Sequence, residues 1–212
     1  MTKLAETIWN SGCLEPGSTV LVGFSGGADS LALLDGLMEL APAKDLTVVA
    51  CHVHHSIRGA EADEDAAFAR QTAARLGAGF VLRQVDAPAY AEAQHLSLEE
   101  AARVLRYRAL EEAALALYQI RLQKAQEAGT VCPPTVIAVA HTKDDWAETV
   151  LMRILRGTGP DGLAAMEPVG WTPEGKAMLV RPLLRVSAEA TRAHCADRGL
   201  FPREDSTNRD ET

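Results

Sequence analysis

Val20-Leu21-Val22-Gly23-Phe24-Ser25-Gly26-Gly27-Ala28-Asp29-Ser30 runs from a short apolar stretch, through a polar glycine-rich turn, into a segment of helical character. The first five residues read as a buried strand and 30–40 as a helix. Adjacent glycines let the backbone turn tightly and aim N–H groups at an anion, and the helix that follows adds the positive end of its dipole. Ser25 and Ser30 bring hydroxyl donors to the same turn. Asp29 is the odd member, because a carboxylate beside a phosphate repels it unless a cation such as Mg²⁺ lies between them. The turn lacks the lysine of a G-x-x-x-x-G-K-[ST] loop and the spacing of a G-x-G-x-x-G fingerprint, so neither of those nucleotide motifs applies.

Outward from this turn, strand-like and helix-like segments alternate. Strands are expected over 46–53, 80–85, 135–140 and, briefly, 178–180; helices over 61–76, 97–117, 144–155 and 187–198. The helix over 61–76 starts acidic and stops at Gly77, and Ser97-Leu98-Glu99-Glu100 has the form of a capping box. The stretches 123–134 and 157–176 read as loops. The fold class is therefore α/β: a doubly wound, mostly parallel sheet with helices on both faces. In such sheets ligands lie beyond the carboxyl ends of the strands. The polar clusters 25–30, 52–58 and 141–145 each follow a strand directly. One domain is expected over 1–200, with 201–212 as the start of a linker.

Composition narrows the classes. The chain has 212 residues, 47% hydrophobic and 24% charged, and no apolar run long enough to span a bilayer. Residues 1–10 lack the form of a signal peptide, so a cytoplasmic protein without a membrane partner is expected. Cys13, Cys51, Cys132 and Cys195 are dispersed with no C-x-x-C pair, which points to buried free thiols. The net charge of −8 is uneven: residues 1–100 carry 6 Lys/Arg against 14 Asp/Glu, the remainder 15 against 15. An acidic chain is a poor general binder of nucleic acid, so any RNA substrate needs local basic patches or a further segment.

Several side chains are candidates for chemistry. Asp145 and Glu148 share a helix face at i, i+3 just beyond a strand end, where they can hold Mg²⁺, hold an ammonium group, or take its proton. Arg103 and Arg106 share another face, and arginine suits phosphate charge. His141 stands where it can donate to a phosphate or cap the next helix. His54 and His55 alternate at a strand end, so only one need face the site. The stripe Trp146, Val150, Ile154 is helix-spaced and reads as core.

The turn S-G-G-x-D-S after a strand is similar to the pyrophosphate loop of the PP-loop ATP pyrophosphatases, whose fold is that of the adenine nucleotide α-hydrolases. Four further blocks resemble one branch of that group, the tRNA(Ile)-lysidine synthetases. They are His52-Val53-His54-His55-Ser56-Ile57-Arg58-Gly59 with the acidic helix after it, Ala101-Ala102-Arg103-Val104-Leu105-Arg106-Tyr107, the H-x-x-D-D-x-x-E-T block His141 to Thr149, and Arg181-Pro182-Leu183-Leu184 with the ending Glu204-Asp205-Ser206-Thr207-Asn208-Arg209-Asp210. The family often has His where this chain has Thr142, and Gln where it has Trp146. It usually continues past the last block into an Arg/Asn-rich stretch and C-terminal domains.

The resemblance implies an ATP-dependent ligase. The enzyme adenylates the wobble cytidine of an isoleucine tRNA with a CAU anticodon, and free L-lysine then displaces AMP. It implies ATP and Mg²⁺ as cofactors, with a homodimer compatible. Carried onto this sequence, Ser25, Gly26, Gly27, Asp29, Ser30, His54, Arg106 and His141 bind nucleotide. Asp29 and Asp145 hold the metal, and Asp29, Arg106, Asp145 and Glu148 serve catalysis. Two other readings remain open: a tRNA thiolase of the same group, which needs reactive cysteines, and a non-catalytic ATP-binding module.

Overall fold

The computed structural model describes residues 1–57, 59–157 and 166–203. Six strands, β1 (Thr19–Gly23), β2 (Thr47–His54), β3 (Gly79–Gln84), β4 (Thr135–Ala138), β5 (Val169–Trp171) and β6 (Met178–Val180), form one sheet in the order β3-β2-β1-β4-β6-β5. All neighbours are parallel except β5, which runs antiparallel to β6 at the edge. The chain moves from β1 outward to β3 and then returns to lay β4 on the other side of β1. That reversal makes the carboxyl ends of β1 and β4 the place where a doubly wound sheet opens a crevice.

Among the described residues seven helices cover the sheet: α1 (Lys3–Asn10), α2 (Ala28–Lys44), α3 (Ala60–Leu76), α4 (Ala87–Gln94), α5 (Leu98–Ala128), α6 (Lys143–Leu155) and α7 (Ala188–Asp197). Strand residues alternate between two cores, as the period-2 geometry of a strand requires. Val20, Val22, Val48, Ala50, Val136 and Ala138 face the layer that holds α1, α2, α3 and α7. Leu21, Val49, Cys51, Ile137 and Leu179 face α5, where Leu110, Ala113 and Ala114 meet them. α2 is wedged between sheet and helices: Leu31, Leu33, Leu34, Leu37 and Leu40 are fully buried. Gly36 permits the close approach of α1, since a Cβ there would lie 2.6 Å from Ile8 Cδ1. Buried Asp35 ties α2 to α7 through His194 Nε2 at 2.8 Å and Arg198 Nε at 3.0 Å.

Three elements go beyond the sequence expectations. α1 is fixed by Thr2, whose hydroxyl caps Ala5 N–H, and α4 by Asp86, whose carboxylate caps Ala89 N–H. β5 exists through its pairing with β6 inside the stretch 157–176 expected to be loop; residues 158–165 of that stretch lie outside the described residues. α5 runs past 117 to Ala128, so the first part of the expected loop 123–134 is helical. Glutamine, lysine, glutamate and alanine sustain the helix until Gly129 stops it in a left-handed conformation. The expectation that Trp146, Val150 and Ile154 form core is corrected. No α6 residue is buried, and Trp146 and Ile154 are 42% and 53% exposed. α6 is anchored through its first turn, where Lys143 N–H donates to Val186 O and Asp144 Oδ2 accepts from Ala188 N–H. Among the described residues no helix is long and apolar enough to cross a membrane.

Candidate functional site

The carboxyl ends of β1, β2 and β4 open into a cavity of about 560 Å³, within the range of small-molecule sites. The glycine-rich turn forms one wall. Gly26 sits at φ +93°, a conformation that favours glycine, and a Cβ there would lie 3.3 Å from the Phe68 ring. Its N–H donates to Ser30 Oγ at 3.2 Å, and Ser30 in turn donates to Gly27 O at 3.0 Å. With that proton committed, the Ser25 hydroxyl is the donor in the 3.1 Å Ser25–Ser30 contact. Gly27 is the N-cap of α2 and supplies no side-chain cap. The first-turn N–H groups of α2, which no intrahelical carbonyl can satisfy, therefore remain available to a ligand.

Ser25, Gly27, Asp29, Ser30, His54, Arg106, His141 and Asp145 all line this one cavity, although they come from four elements or the turns that precede them. Gly26 lies behind the turn, under Phe68 and Arg203, and shapes the wall without lining it. Glu148 is exposed on α6, one turn beyond Asp145 and outside the cavity lining. Arg58 and the block 204–210 lie outside the described residues.

Asp29 is half-buried. Burial raises its pKa, an effect opposed by the hydroxyl of Thr191, which donates to Oδ1, and reinforced by nearby Asp145 and Asp144. Asp145 Oδ2 accepts from Thr142 N–H at 2.7 Å and Thr142 Oγ1 at 2.6 Å, closing a capping box at the start of α6. Thr142, where the resembling family often has His, thus serves to cap the helix. Each aspartate keeps its other carboxylate oxygen without a protein partner among the described residues.

The histidines fall into two kinds. His52 Nδ1 lies 2.9 Å from Phe24 O and donates to it, tying β2 to the start of the turn. His54 Nδ1 accepts from Ser56 N–H at 3.2 Å, which leaves the proton on Nε2, 3.3 Å from Asp63 Oδ1. His55 and His141 are desolvated by burial, which pushes both pKa values down to about 4, and neither Nδ1 has a protein partner. Both are neutral imidazoles at neutral pH. Arg106 faces the open cavity, yet the protein packed around it makes its charge costly and lowers its pKa through desolvation. Arg103 leans over the Tyr107 ring at 5.6 Å, and Arg108 is paired with Glu174 at 2.6 Å. Cys51 lines the cavity floor, but burial drives its thiol up to about 12; Cys195 is driven up to about 11.

Reading along the chain missed Thr191 and Arg203. Both act across long sequence separations, Thr191 on Asp29 and Arg203 on the turn itself, and no local pattern marks either.

An uncapped helix N-terminus, a serine-bearing glycine turn, a cavity arginine and two aspartates thus meet at a topological switch point of the sheet. The model of the PP-loop domain matches residues 1–212, and the chain belongs to that family. Among curated relatives, it is 41% identical over 199 residues to the tRNA(Ile)-lysidine synthase of Geobacter sulfurreducens, covering 94% of this chain and 38% of that protein. It is 39% identical over 208 residues to the tRNA(Ile)-lysidine synthase of Symbiobacterium thermophilum, covering 98% of this chain and 39% of that protein. The chain thus spans about two fifths of the length of these relatives. Among solved structures, the U34-tRNA thiolase of Methanococcus maripaludis with its 4Fe-4S cluster superposes with a TM-score of 0.60 at 18% identity, over 95% of this chain and 64% of that one. At that identity the likeness speaks to the fold alone, a mostly parallel α/β sheet.

Proposed function

We propose that the cavity binds ATP with its phosphates on the turn 25–30, and that residues 1–200 form the catalytic domain of a cytoplasmic enzyme that joins lysine to the wobble cytidine of an isoleucine tRNA with a CAU anticodon. The observation that carries the ATP reading is the N-terminus of α2, which opens uncapped onto the cavity of about 560 Å³. The names of the relatives supply the substrate class.

The chemistry divides into two steps. The O2 oxygen of the cytidine attacks the α-phosphorus of ATP, forming a C–O–P linkage and releasing pyrophosphate. The lysine amine then attacks C2, the new C–N bond forms, and AMP leaves. Backbone N–H groups of the turn and Arg106 hold the phosphates and meet the charge that develops on them. His141 and His55, neutral at working pH, offer hydrogen bonds without adding charge. His54 lines the pocket, and its Nδ1 accepts from Ser56 N–H, which shapes the turn after β2. Glu148, at the outer end of the α6 face, holds the incoming ammonium or takes its proton.

Asp29 and Asp145 fit a hard divalent cation. Both face one cavity, each keeps an oxygen free, and Mg²⁺ is bound by one or two carboxylates together with substrate phosphates. Mg²⁺ bound there neutralises phosphate charge. A thiolase needs a reactive thiol, and burial holds Cys51 and Cys195 protonated at neutral pH. A homodimer through the exposed face of α6 is compatible with this reading.

The test is an incubation of the chain with ATP, Mg²⁺, L-lysine and transcribed isoleucine tRNA bearing a CAU anticodon. The expected products are AMP and pyrophosphate in equal amounts, formed only when the tRNA is present. Appearance of ADP and phosphate overturns the reading.

A further inference from the structure

The cavity is lined by four carboxylates (Asp29, Glu61, Asp65, Asp145) and, among the described residues, only two permanently charged cations, Arg106 and Arg203. Arg106 reaches the cavity from α5, on the far side of the sheet from the α2 layer. Arg203 stands directly beside the glycine turn: its N–H donates to Gly26 O at 3.0 Å, and its Cγ lies 3.7 Å from where a Gly26 Cβ would be. The Arg203 backbone is thus fixed to the same turn that presents N–H groups to an anion.

The Arg203 side chain is held along one edge. Nε donates to Asp65 Oδ1 at 2.8 Å, and Nη2 lies 3.5 Å from Glu64 Oε2. Nη1 has no protein partner among the described residues. A guanidinium gripped on one edge and open on the other is preorganised to accept a second oxygen anion, because its planar fork loses little freedom on binding.

We infer that Arg203 is a phosphate-contacting residue of this cavity, holding the phosphate tail of ATP with its free edge while Asp65 fixes the other edge. The inference rests on the ATP reading above. Without Arg203 the turn side of the cavity would bring only neutral donors and carboxylates to a multiply charged tail. The Arg203–Asp65 pair also bridges the segment after α7 to α3, so a purely structural clasp is the competing explanation. The two explanations separate cleanly, because a clasp is broken equally from either end and a phosphate contact is not.

The experiment is calorimetric titration of ATP into the unmodified chain, Arg203→Ala, Arg203→Lys and Asp65→Asn, with thermal melts of each. Arg203→Ala should bind ATP ~10-fold more weakly or worse, the size of one charge-assisted hydrogen bond. Arg203→Lys, which keeps the charge and loses the fork, should fall between. Asp65→Asn, which keeps an oxygen to accept from Nε and so leaves the fork in place, should stay within ~3-fold of the unmodified chain. Equal loss of ATP affinity in Arg203→Ala and Asp65→Asn makes the pair a clasp and overturns the inference. So does unchanged affinity in Arg203→Ala when the unmodified chain binds ATP. Absence of ATP binding by the unmodified chain overturns the ATP reading, and this inference with it.

Discussion

α2 and α6 both begin just beyond the carboxyl end of a strand, both bring an aspartate to the same cavity, and in other respects they are opposites. α2 leaves its N-terminus uncapped and buries its length: Leu31, Leu33, Leu34, Leu37 and Leu40 have no exposure. α6 closes its N-terminus with the reciprocal Thr142–Asp145 box and buries none of its residues. α2 is the more apolar of the two, with charged residues only at Asp29, Asp35, Glu39 and Lys44. Placement widens the difference: α2 lies between the sheet and α1 and α7, while α6 is held by its first turn. A helix that keeps its terminal N–H groups for a ligand forgoes capping, and dense packing elsewhere offsets that loss. A helix that satisfies its own N-terminus needs less from its surroundings.

The largest expected effect tests this packing difference. Leu34→Ala in α2 should destabilise the fold by ~2–5 kcal/mol, whereas Ile154→Ala in α6 should stay within ~0.5 kcal/mol in denaturant unfolding. A comparable loss in both would mean the exposed face of α6 is covered in solution, and sedimentation of the same samples would then report whether a second copy covers it.

A smaller effect concerns acid. His55 and His141 are held near 4 in the folded chain against the ordinary 6.5. Between these values the unfolded chain binds protons that the folded chain refuses, so stability falls as pH drops from 6.5 towards 4 and is unaffected by these groups above 6.5. Melting temperatures from pH 7 to 5 should decline, and His55→Gln should flatten the slope. An unchanged slope in that variant would show His55 is not desolvated. Both histidines belong to the cavity, so the acid loss is centred there, away from the α1–α2 core.

How much of this was legible beforehand follows the same division. The glycine turn, the strands flanking it and the doubly wound alternation rest on local patterns, and the observed β1, β2, β3, β4 and β6 lie close to the expected segments. α1 and α4 are short helices of 8 residues each, too brief to display a full apolar repeat. β5 owes its existence to a partner strand. α6 misled because helical spacing shows that an apolar stripe exists, and only tertiary structure shows whether anything lies against it. In the site, the residues on the turn and at strand ends could be named from spacing. Thr191, which holds Asp29, and Arg203, which backs Gly26, are brought in by the packing of α7 and the segment after it.

The claim that the turn at the start of α2 is an ATP phosphate site is tested most directly at Gly27. Unlike Gly26, Gly27 has an ordinary backbone, φ −70°, and a Cβ there would meet Ser25 Oγ at 3.6 Å, a normal contact. Gly27→Val should therefore fold, with a melting temperature close to that of the unmodified chain, while its side chain blocks close approach of a phosphate to the N–H groups of α2. Calorimetric titration should show ATP binding to the unmodified chain and none to a folded Gly27→Val. Equal ATP affinity in the two folded proteins would contradict the account.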